Sequence, residues 1–292
     1  MADIRPATWD DLEGVFDLRS ARNRAAFGMS EVQLAHIRDR WQMPSFEVGR
    51  DNWVAVDDGK IVGEAELGSS QEFVHAAQDA GTGDALLARV EERARERGFG
   101  WIAVTAVPED EPLYALVQRN GFALEREILR MWRPLDGELP EPAWPGGVAV
   151  RAYTDDDGER VHALLDAAYR GWDDGYVAMS HADWLKFMTD HDEFDPGVWF
   201  LVERDGELVA AALHWKESRA RGWVKDIVVR DSERGRGLGK ALLHHAFREY
   251  ARRGVERVGL KVDSKNPTGA PQLYERVGFA IDRRYGIWRK DL

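Results

Sequence analysis

The sequence predicts an α/β chain made of two tandem copies of one unit, each a mixed, mostly antiparallel sheet flanked by helices. Three observations carry that expectation. Ile4-Arg-Pro-Ala-Thr-Trp-Asp-Asp recurs 146 residues later as Val150-Arg-Ala-Tyr-Thr-Asp-Asp-Asp, and Gly121-Phe122 recurs 157 residues later as Gly278-Phe279. In each copy β-branched runs of strand length alternate with helical 3.6-residue periodicity, which implies strands interleaved with helices. Between the copies, residues 134–147 hold four prolines and three glycines, a composition that continues neither a helix nor a central strand. The expected organisation is a domain over 1–133, a linker over 134–147 and a second domain over 148–292.

Taken in order, a short strand near Ile4 leads to a helix opened by Thr8 and Asp11 in capping-box spacing and continued through Leu12, Val15, Phe16 and Leu18. Ser30 to Gln33 has the same spacing and predicts a second helix. Trp53–Val56 and Ile61–Leu67 flank Asp57-Asp58-Gly59, a hairpin signature. A strand over 72–75, a helix over 83–97, a strand over 101–107, a helix over 112–120 and closing strands over 122–133 complete the first copy. The second repeats the order. Thr154 with Asp157 and Ser180 with Asp183 open helices, and strands over 198–203 and 208–216 flank Arg204-Asp205-Gly206. A strand over 222–230, a helix over 237–253, a strand over 257–262, a helix over 269–277 and closing strands follow.

Composition narrows the function. A net charge of −12 argues against nucleic acid or an anionic membrane as partner, since binding phosphate needs a basic face. No apolar run approaches a membrane span, and the first residues lack the apolar core of a signal peptide, so a soluble, cytoplasmic protein, monomer or homodimer, is expected. The absence of cysteine excludes disulfides, thiolate metal sites and a cysteine nucleophile, and the spacing of the eight histidines predicts no metal site. Twelve tryptophans serve packing first.

The most informative stretch runs from Asp226 to Leu243. The apolar Ile227, Val228 and Val229 give way to a turn with glycines at 235, 237 and 239, then to a helical pattern through Leu238, Leu242 and Leu243. Glycine lets backbone approach a ligand closely, and the unpaired N–H groups of a helix's first turn attract an anion. A P-loop is excluded because Lys240 is followed by Ala241. The pattern Val229-x-x-x-x-Arg234-x-x-Gly237-x-Gly239, followed by Asn266-Pro-Thr-Gly-Ala-Pro-Gln-Leu-Tyr274 and Gly278-Phe279, resembles the acetyl-CoA motifs of the GNAT acetyltransferase superfamily. One departure is Asp231, where that family usually has proline.

The resemblance implies acetyl-CoA as acetyl donor. It implies that the loop Arg234, Gly235, Arg236, Gly237, Leu238, Gly239 and Lys240 binds pyrophosphate, that the backbone of Ile227, Val228 and Val229 pairs with the pantetheine arm, and that Asn266 hydrogen-bonds that arm. Tyr274 stands where the family places the acid that protonates the CoA sulfur. Acetyl transfer also needs a neutral amine and an oxyanion donor, for which the N–H near Val229 is the candidate. The base is less determined: Asp226 leads, His214 and Glu217 follow, and a water relay is equally open. Asn266 could equally be a turn residue. In the first copy Gln78, Gly81 and Gly83 imitate the loop, but Val117 falls opposite Tyr274 and Glu109 opposite Asn266, which reads as a degenerate half. The acids Asp173, Asp174, Asp183, Asp190, Asp192, Glu193 and Asp195, with Trp172, Tyr176, Trp184 and Phe194, predict a small, cationic amine as acceptor. Against the enzyme stands a non-catalytic protein that senses acyl-CoA.

Overall fold

A computed structural model describes residues 2–170, 178–190, 192–216, 218 and 220–292. Two compact units emerge: Met1–Ile128 with Arg284–Leu292, and Leu129–Arg283. The division therefore falls earlier than the proline-rich segment, and the chain's last residues group with the first unit instead of the second.

In the first unit, β1 (Asp3–Pro6) leads into a 3-10 turn capped by the Thr8/Asp11 box and α1 (Leu12–Phe27), which Gly28 ends at φ 75°. The spacing at Ser30 misleads: its hydroxyl accepts from Val32, and α2 (Leu34–Trp41) starts four residues later. Strands β2 (Asn52–Asp57) and β3 (Lys60–Leu67) join through Asp58 and Gly59, both at positive φ, the geometry of a tight hairpin turn. β4 (Phe73–Ala77) completes an antiparallel sheet ordered β1-β2-β3-β4. Then come α3 (Ala80–Glu96), β5 (Trp101–Ala106), α4 (Glu111–Arg119) and β6 (Ala123–Pro134). β5 finds its antiparallel partner in Gly286–Asp291.

In the second unit, residues 129–134 of β6 flank the strand that pairs with the unit's antiparallel meander. β7 (Ala149–Ala152), a turn capped by Thr154 and Asp157, α5 (Gly158–Arg170) and α6 (His181–Thr189) precede β8 (Phe200–Arg204), β9 (Glu207–Trp215) and β10 (Arg221–Val229). Arg151 holds Asp157 in a two-point ion pair of 2.6 Å per bond, which draws that carboxyl down to about 2. α7 (Leu238–Arg252), β11 (Arg257–Asp263), α8 (Ala270–Arg276) and β12 (Ala280–Asp291) follow. The proline-rich segment belongs to this unit. Leu135 donates to Glu256 O at 2.8 Å, Leu139 O accepts from Arg248 at 3.0 Å, and Trp144 meets His245 edge-on. The core gathers around Trp199, Phe247, Tyr250 and Leu213, all fully buried.

Candidate active site

The site begins with a strand pair that parts. β10 runs antiparallel to β9 from Trp223 to Val229, with a bulge that leaves Lys225 unmatched between Val224 and Asp226. A bulge inserts one residue and increases local twist. On its other side β10 pairs in parallel with β11 only over Arg221–Trp223 and Arg257–Gly259, and the ladder then stops. Below the fork, Gly259 leaves room for Trp132 and Trp223, packed edge-to-face at 5.6 Å; a Cβ at this position would lie 2.7 Å from both rings. The parted strands open a cavity of about 640 Å3, lined by Asp226, Ile227, Val228, Val229, Arg234, Gly235, Gly237, Leu238, Gly239, Lys240, Asn266 and Tyr274 among others. Thus the leading base candidate Asp226, Tyr274 and every residue expected to bind acetyl-CoA except Arg236 line one cavity. Arg236 instead turns its guanidinium to Glu233 at 3.5 Å.

At one end lies the terminus of α7. Gly235 and Gly237 hold φ of 77° and 87°, which side chains resist. Gly237 offers no side-chain cap, and the first helical bond, Ala241 N–H to Gly237 O at 3.0 Å, lies beyond the amides of Leu238, Gly239 and Lys240. Those amides and the positive end of the helix dipole face the cavity, an arrangement that could receive a phosphate. Arg234 pairs with Asp231 at 2.8 Å. The residue that departs from the family's proline thus holds the loop's cation.

At the other end, Tyr274 is buried, its ring edge-on to Phe279 at 5.7 Å. Burial first, and then the charge of Asp226, push its hydroxyl above the ordinary phenol range, so it stays protonated. Asp226 accepts a 2.7 Å hydrogen bond from Tyr169 through Oδ1, and Lys225 Nζ stands 3.6 Å from Oδ2. The ammonium of Lys225 also lies over Phe187 and Trp215, at 5.6 and 5.4 Å. Asn266 carries an Asx turn: its carboxamide oxygen accepts from Thr268 N–H and hydroxyl at 2.9 and 2.6 Å, leaving the NH2 for other partners.

Two sequence expectations change. His214 is fully buried between Phe200 and Tyr250 and does not line the cavity; burial and the charge of His245 lower its pKa to about 3, so it is a neutral core residue. Trp184 and Phe194 pack on Trp199 in the core, while Asp183 stays with the cap residue Ser180 and Asp195 pairs with Arg253. Glu217, Trp172, Asp173, Asp174 and Tyr176 lie outside the described residues. Tyr169, absent from the expected set, is brought to Asp226 by a contact across 57 residues that the sequence hides, while Lys225 is its neighbour in the chain.

The first unit fills its corresponding places. Asp79 caps α3 by accepting from Thr82 N–H at 3.0 Å and Thr82 Oγ1 at 2.6 Å, which puts a carboxylate where α7 has open amides. On β4, His75 Nε2 donates to Gly83 O at 2.9 Å, since a carbonyl only accepts. Arg22 donates to His75 O and pairs with Asp110, so the β4 backbone is already engaged. Val117, opposite Tyr274, is a fully buried aliphatic.

Two units of one element order, the second with parted strands beside an uncapped helix terminus, have the architecture of a tandem GNAT protein. A family model described as the acetyltransferase (GNAT) family matches residues 159–279. A mycothiol acetyltransferase of Streptomyces coelicolor is 32% identical over 255 residues, covering 82% of this chain and 79% of that relative. A GCN5-related N-acetyltransferase from Sphaerobacter thermophilus superposes with a TM-score of 0.80 at 25% identity, over 99% of this chain and 95% of its own. A tandem GNAT protein from the clavulanic acid biosynthesis pathway shares the fold, with a TM-score of 0.69 at 18% identity over 100% and 98% of the two chains. The chain belongs to the GNAT acetyltransferase family. An enzyme, and not a mere sensor of acyl-CoA, is the reading these relatives support.

Proposed function

We propose that the second unit binds acetyl-CoA along the open fork and transfers its acetyl group directly, in a ternary complex, to a primary amine of a small molecule. The observation that carries this reading is the single cavity that joins the uncapped α7 terminus to Tyr274 and Asp226. The α7 amides with Arg234 and Lys240 hold the pyrophosphate, the free edge of Ile227–Val229 pairs with the pantetheine arm, and Asn266 reaches that arm through its NH2. The neutral amine attacks the thioester carbon, the C–S bond breaks, and Tyr274 gives its proton to the departing sulfur. Asp226, directly or through one water, takes the proton the amine nitrogen sheds. The Val229 N–H faces the developing oxyanion. The first unit is read as non-catalytic, because Asp79, Arg22 and Val117 occupy the corresponding positions.

For the acceptor, the acidic segment between α5 and β8 favours a cation, although Asp183 and Asp195 already have structural partners. The mycothiol acetyltransferase relatives favour a second reading, a mycothiol-synthase-like enzyme that acetylates an amino-sugar conjugate. A turnover screen with acetyl-CoA across polyamines, aminoglycosides, amino-sugar conjugates and peptide amines separates them. Turnover of small cationic amines supports the cationic acceptor, and turnover confined to amino-sugar conjugates supports the second reading. Acetyl-CoA binding without transfer to any amine would overturn it.

A further inference from the structure

Tyr169 belongs to the last turn of α5, far in sequence from the glycine loop and from Tyr274, yet it lines the same cavity. Its ring packs on the core of the second unit while its hydroxyl donates 2.7 Å to Asp226 Oδ1. Asp226 keeps only 13% of its side-chain surface, and its other oxygen faces Lys225 Nζ at 3.6 Å. A carboxylate on the bulged part of a strand has a free side-chain torsion; a donor fixed to a helix removes that freedom and sets which oxygen remains open. The bond is charge-assisted, the stronger kind of side-chain hydrogen bond. We propose that Tyr169 is a positioning residue for acetyl transfer, which aims Asp226 at the acceptor amine. The inference rests on Asp226 being the base.

Groups from three elements surround Asp226. Tyr169 from α5 donates to Oδ1, Lys225 from β10 stands 3.6 Å from Oδ2, and Tyr274 from α8 lines the same cavity as a neutral hydroxyl. Glu233 in the turn after β10, and Lys261 and Asp263 on β11, line the same cavity. Removing the Tyr169 hydroxyl leaves the ring and takes away the donor that fixes Oδ1, so the carboxylate loses its aim.

The test is a double-mutant cycle of Tyr169→Phe and Asp226→Asn, with the full chain, acetyl-CoA and the best amine from the acceptor screen. Calorimetric acetyl-CoA affinity and the thermal midpoint serve as folding checks. Tyr169→Phe is expected to lower kcat about 10- to 100-fold, the value of one hydrogen bond to a charged group, and to leave acetyl-CoA affinity within a factor of two or so. In the Asp226→Asn background the same change is expected to do nothing further. Should Asp226→Asn by itself retain the wild-type rate, the base reading fails and this inference with it. If Asp226→Asn is slow while Tyr169→Phe keeps the wild-type rate, or if the two losses multiply, the inference alone is overturned, because Tyr169 would not act through Asp226.

Discussion

Replacing Tyr274 by Phe tests the proposed source of the proton that the leaving sulfur needs. The ring of Tyr274 packs edge-on against Phe279 at 5.7 Å, and the substitution keeps that contact. Its hydroxyl makes no hydrogen bond to any described residue, so its loss orphans no buried partner and stability stays within about 0.5 kcal/mol of the wild type. Chemistry is affected far more. A positioned acid contributes about 10²- to 10⁴-fold in rate, equivalent to roughly 2.7–5.4 kcal/mol of barrier. Because burial and Asp226 hold the hydroxyl above the ordinary phenol value of 10.0, the acid remains loaded, and kcat in the wild type shows no alkaline loss from this group below pH 10.0. Thiol release measured with a chromogenic disulfide gives kcat, and calorimetry gives acetyl-CoA affinity. The expected result is a fall in kcat of at least about 100-fold with affinity nearly unchanged. A folded Tyr274→Phe enzyme that turns over at the wild-type rate would refute the assignment and leave solvent as the proton source.

Three further outcomes follow from the same structure. His214 has a folded pKa of about 3 against an ordinary 6.5, so its contribution to stability is complete above 6.5 and is lost as pH falls toward 3; from pH 7 to 5 this amounts to about 2 kcal/mol, and His214→Leu is expected to flatten the fall in melting temperature over that range, an equal slope in both proteins contradicting it. Val117→Ala, in the core of the first unit, should cost about 2 kcal/mol in denaturant unfolding while turnover per folded molecule is unchanged; a matching loss of kcat would show that the first unit takes part in catalysis. Asp231→Asn releases Arg234 from an exposed ion pair and removes a negative charge beside the proposed phosphate site, so acetyl-CoA should bind up to about fivefold tighter at low salt, a weaker affinity counting against the loop assignment.

Local chemistry makes much of the fold legible in the sequence. Thr8 with Asp11 and Thr154 with Asp157 form the capping boxes their spacing implies, and Asp58-Gly59 and Asp205-Gly206 take the positive φ of tight hairpin turns. The glycine loop, too, announces itself, since positive φ at 235 and 237 demands glycine. What the sequence hides is long-range. Strand β12 reads the same whichever unit it joins, so the grouping of Arg284–Leu292 with the first unit is invisible in its pattern. α3 begins at Ala80 and not at Gly83 because the Asp79 carboxylate supplies a cap one turn earlier than the glycines suggest. His214 alternates with apolar neighbours on β9, and alternation alone does not tell a cleft from a core on a strand buried on both faces. The Tyr169 to Asp226 bond joins the end of a helix to a bulge, and bulges leave little trace in sequence.

The central claim, that acetyl-CoA occupies the second unit through the open amides of α7, is tested most directly by titrating acetyl-CoA into the wild type and into Gly237→Glu in a calorimeter. Gly237 sits at φ 87° with open space where a Cβ would project, so a glutamate there keeps room for its side chain but brings a carboxylate and backbone strain to the phosphate site. One acetyl-CoA per chain in the wild type, with binding lost in a folded Gly237→Glu, is the predicted result. Unchanged affinity in that variant would contradict it.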